Sequence, residues 1–331
     1  MVRNIVIFII NSFKTSIINI LTKSSILFVC LIYISCSSIN KPESQSTQSF
    51  DDHIARIAFV SDKDGDWDIW LINPDGSGLK NLTNNPSLDS HPSWSPNGQN
   101  ITFYSDRDGN KNIYSMSQDG NNLKQLTINS KSNHSPAWSP NGDKIAFVSN
   151  RSGENCIWIM NVDGSEQFNL TKLLKSSRWP TWSPIKNEIL FTSENVIYQI
   201  NPETFELNTV FKLSKDLVFT GLFIGWPAWS PDGNKITLTS NFLDREKMTP
   251  TLYTLNKDGK AFKPLINSPG LGPDERPSWS PDGSSIVYSS FTNNDQRQIW
   301  LINVTTGLST QLTRGNYMNG FPAWEPVGTT P

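Results

Sequence analysis

The sequence predicts an all-β protein, a closed propeller of six four-stranded antiparallel blades, and three observations carry that expectation. A Trp-centred motif recurs at Trp94, Trp138, Trp182, Trp229, Trp279 and Trp324, spaced 44, 44, 47, 50 and 45 residues apart. Each period holds four short strand-like runs, the content of one propeller blade. The runs are also ordered so that the chain enters on a second-type run at Ile57 and leaves after a first-type run at Trp324.

Taken in order, the chain begins with a segment unlike the rest. Residues 1–35 carry Arg3, Lys14 and Lys23, no acidic residue, and an apolar run from Ile26 to Ile34. A positive flank, a short apolar core and small residues after it read as a secretory signal. The run is shorter than the roughly 20 residues that span a bilayer. Ile32-Tyr33-Ile34-Ser35-Cys36 resembles a bacterial lipobox, with Tyr33 where leucine is usual. The resemblance implies acylation of Cys36, cleavage before it, and a lipid anchor in the cell envelope. Ser37 stands where an aspartate would signal inner-membrane retention, which points to the periplasmic face of the outer membrane. Residues 36–52 are rich in Ser, Gln and Asn, offer little apolar surface, and are expected to form a disordered tether. Residues 53–328 are assigned to the propeller.

Past residue 36 there are 25 basic and 30 acidic side chains and a single cysteine, Cys156. A disulfide within the propeller is therefore excluded, and the absence of a basic excess argues against a nucleic-acid partner. A monomer is expected.

Within the first full period, the run at Trp94 leads into Ser95-Pro96-Asn97-Gly98, the residue chemistry of a type I turn. Ile101-Thr102-Phe103-Tyr104 is the second run and Ile113-Tyr114-Ser115-Met116 the third. The fourth follows Asp119-Gly120 and ends at Leu126-Thr127. β-branched and aromatic runs between Gly, Pro and Asp are strand and hairpin signals. The fourth unit departs from the pattern: its outer run near Val210–Leu213 is degraded and its middle loop shrinks to Glu194-Asn195. Its exit, Phe211 to Trp226, expands and includes Leu217, Val218, Phe219, Leu222, Phe223 and Ile224. That connection either plugs the channel or faces a partner. The complementary ends of the chain predict a shared blade, in which the C-terminal run supplies the inner strand that the first three runs lack. This leaves no open edge.

Repeats of the form P-x-W-S-P-[DN]-G, followed by I-A-F, I-W, D-G and L-T, resemble the propeller of the TolB family over about residues 54–328. Phe321-Pro322-Ala323-Trp324-Glu325-Pro326 resembles that family's end. The tether stands where TolB carries an N-terminal α/β domain, so the resemblance implies the fold and not a role in the Tol machinery. Similar blades occur in tricorn-type and prolyl-oligopeptidase-type proteases and in a lyase of pectin fragments.

Several residues invite a chemical reading. Asp62, Asp64, Asp66 and Asp68 form an alternating acidic loop that could hold Ca2+, although its Gly65 falls at the wrong position for an EF-hand. A solvated hairpin turn is the competing reading. Of the three histidines, His53, His91 and His134, the last two fall in equivalent connections and are expected to approach each other. Two are fewer than the three protein ligands of a usual catalytic metal. No Gly-x-Ser-x-Gly elbow is present. The residues before the inner-strand prolines are His91, Ser135, Trp179, Trp226, Arg276 and Phe321. They are equivalent by position, so they should ring one mouth of the channel, and their chemistry varies while the motif does not. They serve either to recognise a partner, as aromatic and Arg hot spots do, or to fill the opening. The expectation is a non-catalytic binding module for an envelope protein or peptide, without a cofactor. The alternative is a metal-dependent, oligosaccharide lyase-like enzyme working in the channel.

Overall fold

In the computed structural model the described residues are 54–128, 131–217, 221–242, 250–265, 275–292 and 294–327. The signal segment, the tether, His53, Val218 and Phe219 lie outside them. The described strands form six four-stranded sheets, all of antiparallel neighbours. Blade one comprises Ile57–Ser61, Asp68–Ile72 and Lys80–Asn81, with Asn319–Trp324 as its inner strand. The inner strands of blades two to six are Asp89–Trp94, Asn133–Trp138, Arg178–Trp182, Ile224–Trp229 and Glu275–Trp279.

The second strands read as unbroken apolar runs because both faces of each blade are covered. Ile57–Ser61 is buried at every position. Its residues alternate between neighbours: Ala58 and Val60 pack with Trp94, Ile101 and Phe103 of blade two. Ile57 and Phe59 pack with Val287, Ile299 and Leu312 of blade six. All six motif tryptophans belong to such clusters between blades. Trp94 and Trp182 also donate their indole N–H to the carbonyls of Ala323 and Ala137 in the preceding blades, both at 3.1 Å.

The repeated turn works through its serine. Gly98 N donates to Ser95 O at 2.9 Å, and Asn100 N donates to Ser95 Oγ at 2.9 Å. The sequence Leu-Thr does not lie in the outer strand, as expected, but just after it. In blade two the outer strand is Lys124–Gln125, and Thr127 Oγ1 then accepts the N–H of Ile113 at 2.9 Å. Thr83, Thr171 and Thr313 do the same for Ile69, Ile157 and Ile299. The hydroxyl satisfies a backbone donor that an outer strand of two or three residues leaves unpaired.

Blade four corrects a second expectation. Its outer strand, Leu207–Phe211, has five residues, whereas the described outer strands of the other blades have two or three. Glu194 and Asn195, at φ 47° and 62°, close a two-residue hairpin between Ser193 and Val196. A turn with both φ values positive matches strand twist and keeps the pair in register. Asn195 then ties down the long exit: its Nδ2 donates to Leu222 O at 2.8 Å and its Oδ1 accepts from Ile224 N at 3.1 Å.

Closure rests on a change within the last motif copy. There Glu325 occupies the place of the turn serine. Its carboxylate accepts Arg56 N at 2.9 Å, Arg56 Nε at 2.9 Å and Arg56 Nη2 at 3.0 Å. Glu325 N donates to Arg56 O at 2.8 Å. Asp62 adds a second tie, accepting from Met318 N at 2.6 Å. The Glu325 side chain is 2% exposed and that of Arg56 is 25% exposed. Removing one member of such a pair leaves a buried charge without its partner, which costs about 3–5 kcal/mol. Arg56→Ala is therefore expected to lower stability by about 3 kcal/mol, and Glu325→Ser, which restores the motif, by somewhat less. Urea unfolding of the full chain measures both.

Candidate functional site

The six residues before the inner-strand prolines share one backbone state. His91, Ser135, Trp179, Trp226, Arg276 and Phe321 have φ of 59°, 53°, 55°, 48°, 50° and 54°. At the same place every inner strand slips register against its neighbour. Proline supplies no N–H to the ladder, so the pairing breaks there and a bulge forms. A bulge re-aims the side chain at its centre, and here the side chains meet one another near the axis. None of the six is glycine, although a left-handed residue with a Cβ costs about 1–2 kcal/mol.

The side chains gather in two groups. Phe321 stacks on His91 at 4.1 Å between ring centroids, and the guanidinium of Arg276 lies 5.7 Å from the Phe321 ring. His134 and Tyr104 approach His91 at 6.4 Å and 5.1 Å. In the second group Trp179 meets Trp226 at 4.9 Å, and Phe223 packs on both, at 5.6 Å and 5.0 Å. Gly225 allows this: a Cβ there would come within 2.6 Å of both Phe223 and Trp179. Ser135 is buried, and its hydroxyl pairs with Nδ1 of His134 at 3.0 Å.

A cavity of about 610 Å³ begins at Ser135, Trp179, Trp226 and Arg276 and extends to Pro96, Pro140, Pro184, Pro231, Pro281 and Pro326 of the W-x-P segments. His91 and Phe321 do not line it. Six atoms of its lining residues are buried without a hydrogen-bond partner: Nη1 of Arg276 and Nε1 of Trp138, Trp226, Trp229, Trp279 and Trp324. Glu325, the carboxylate among the described lining residues, is already held by Arg56.

Cations surround the histidine pair. Burial, then Arg276, His134, Lys111 and Arg297, hold His91 well below the ordinary imidazole value. Burial, then Lys111, Arg178 and Arg276, push His134 down to about 4. Burial lowers Arg276 to about 10, so it keeps its charge at neutral pH. Among the described residues no group of three or more His, Cys, Asp or Glu could hold a metal ion. The donor set beside His91 and His134 is cationic and opposes a further cation.

The acidic loop does not converge on a point. Asp68 is buried and is bonded by Asn81 Nδ2 at 2.8 Å and Thr83 Oγ1 at 2.9 Å. Asp62 is used in closure, and Asp64 and Asp66 are exposed. Phe223, Tyr104, Lys111 and Arg297 join the site without having been singled out individually for it. Tyr104 and the two cations follow ordinary strand and loop patterns, and only the apolar exit connection hinted at Phe223.

The first half of the chain decides the family: residues 22–203 match the family model described as TolB beta propeller domain. The chain belongs to the TolB beta-propeller family. The propeller resembles TolB from Acinetobacter baumannii, with a TM-score of 0.69 and 19% identity over 82% of this chain and 67% of that one. It also resembles a putative TolB from Agrobacterium tumefaciens, with a TM-score of 0.63 and 17% identity over 82% and 99% of the two chains. An oligogalacturonate lyase in complex with manganese shares the fold more distantly, with a TM-score of 0.54 and 13% identity over 78% and 74%.

Two outcomes follow from this TolB-family site. At Ser135 a β-branched side chain is incompatible with the left-handed backbone, whereas glycine suits it. Ser135→Val should cost about 2 kcal/mol or more, and Ser135→Gly about 1 kcal/mol at most, with differential scanning calorimetry as the measure. The histidines set a pH dependence. Their folded values lie below the unfolded one near 6.5, so the unfolded chain binds more protons as pH falls through the interval. Their contribution is complete above about 6.5 and is lost toward about 4 for His134. Denaturation titrations between these limits should show a shallower decline for His134→Gln than for the parent protein.

Proposed function

We propose that this propeller is a monomeric, non-catalytic binding module of the bacterial cell envelope, lipid-anchored through Cys36 at the periplasmic face of the outer membrane, that holds a protein or peptide partner at its axis. The observation that carries the reading is the set of six left-handed, non-glycine positions bearing Trp, Phe, Arg, His and Ser. Strained backbone of this kind gathers at ligand clamps and active sites. Uniform packing would be met by uniform residues and by glycine. Instead these positions vary between blades, while the adjoining proline and tryptophan repeat. Aromatic side chains beside a guanidinium supply the anchors that dominate protein interfaces.

Membership of the TolB beta-propeller family supports a module of this type. The lyase fold is also a relative, yet among the described residues the charges acting on the two histidines here are cations. The test compares two tryptophans. Trp179→Ala should reduce capture of the envelope partner by roughly thirtyfold, a loss of about 2 kcal/mol, with the melting temperature nearly unchanged. Trp94→Ala, in the core between blades one and two, should unfold the domain. Undiminished capture by Trp179→Ala would refute the reading, as would chelator-sensitive cleavage of polygalacturonate by the pure protein.

A further inference from the structure

The inner end of the cavity has a chemical preference. The six unpartnered buried atoms of the cavity's lining are all N–H donors. One of them, Arg276 Nη1, is charged, and Arg276 belongs with Trp226 to the residues before the inner-strand prolines. A buried donor left unpaired costs about 1–3 kcal/mol, more when charged, so a ligand that supplies acceptors there recovers that cost. Arg276 is the cationic side chain among the described lining residues, and Lys111, Arg178 and Arg297, outside the lining, add positive charge around the neighbouring histidine pair. A cation at one end of a cleft attracts an anionic group of a ligand to that end. Glu325, on the cavity wall, does not offset this, because Arg56 holds it in a three-bond clasp.

The walls select further. They are built from the prolines and indoles of the repeated motif, with Ala137, Ala228 and Ala323 between them. Such a surface suits an extended chain with apolar side chains better than a polyhydroxylated sugar, whose many hydroxyls would lose water against proline, alanine and indole faces. About 610 Å³ holds a few residues of peptide. The packing of Trp179, Trp226 and Phe223 at the inner end favours a chain terminus over a segment passing through.

Resting on the binding-module reading, we propose that the cavity takes the C-terminal end of an extended peptide, with Arg276 and the Trp226 indole donating hydrogen bonds to its terminal carboxylate. The partner is thereby a protein with a free, apolar C-terminal tail.

The full chain, immobilised, is offered a random pentapeptide library with free C-terminal carboxylates and the same library as C-terminal amides. The acid library should be enriched roughly tenfold or more over the amide, the worth of one charge-assisted pair. Arg276→Gln should abolish that preference and Arg276→Lys should restore part of it. If Arg276→Gln does not fold, the acid-to-amide ratio of the parent protein decides alone. Equal enrichment of acids and amides overturns the carboxylate site and leaves the binding module standing. Enrichment of neither overturns both, and binding of trigalacturonate in their place moves the site to a sugar acid.

Discussion

Everything at the axis depends on the ring being closed, and closure depends on one clasp between sequence-distant residues. Blade one cannot exist without Asn319–Trp324, and blades two and six pack on its two faces. The Arg56–Glu325 pair locks this strand where the first strand begins, with Asp62 and Met318 holding the other end of the same pairing. Pairing this strand into blade one covers the edge that the first three strands would otherwise leave open. The choice of Glu325 in place of the repeated serine is thus a consequence of topology. The last inner strand pairs with a strand at the far end of the sequence, and Glu325 meets Arg56 there.

Closure in turn makes the strain at the six bulges tenable. A residue held left-handed costs free energy that its surroundings must offset, and such states persist where packing over-determines them. Each bulge here is fixed by a following proline, by a ladder on one side and by inter-blade packing beyond it. The strain is shared evenly around the ring, so its side chains converge while the motif behind them stays the same. That separation of roles lets a repeated scaffold carry a site without symmetry, aromatic toward Trp179 and Trp226 and cationic toward Arg276 and the histidines.

Electrostatics sharpens the division. The chain is slightly acidic as a whole, yet the described charges nearest the axial histidines are basic. Most acidic residues in the repeats are occupied locally. Asp232 and Asp282 cap turns through Ser230 and Ser280, and Asp89 is bound by Arg107 at 2.9 Å. Composition alone conceals this, because net charge does not record which charges are already paired.

The sequence by itself determined the fold, the blade count and the shared blade. The period, the turn chemistry and the order of strand types are local properties that survive in one dimension. It also determined which six positions are equivalent, since equivalence within a repeat follows from spacing from Pro and Trp. The tertiary structure alone decided how those positions differ in use. Their left-handed backbone follows from the bulge at the proline within each blade, whereas the stacking of His91 on Phe321 and the pairing of Trp179 with Trp226 arise from neighbours in other blades. The roles of Asp62 and Asp68 were equally hidden, because an acidic loop reads the same whether its carboxylates face water or bind Met318 and Thr83. So was the service of Asn195 to a connection 27 residues away. Pairwise contacts across the ring depend on distance in space, and a repeat sequence encodes only which residues are alike.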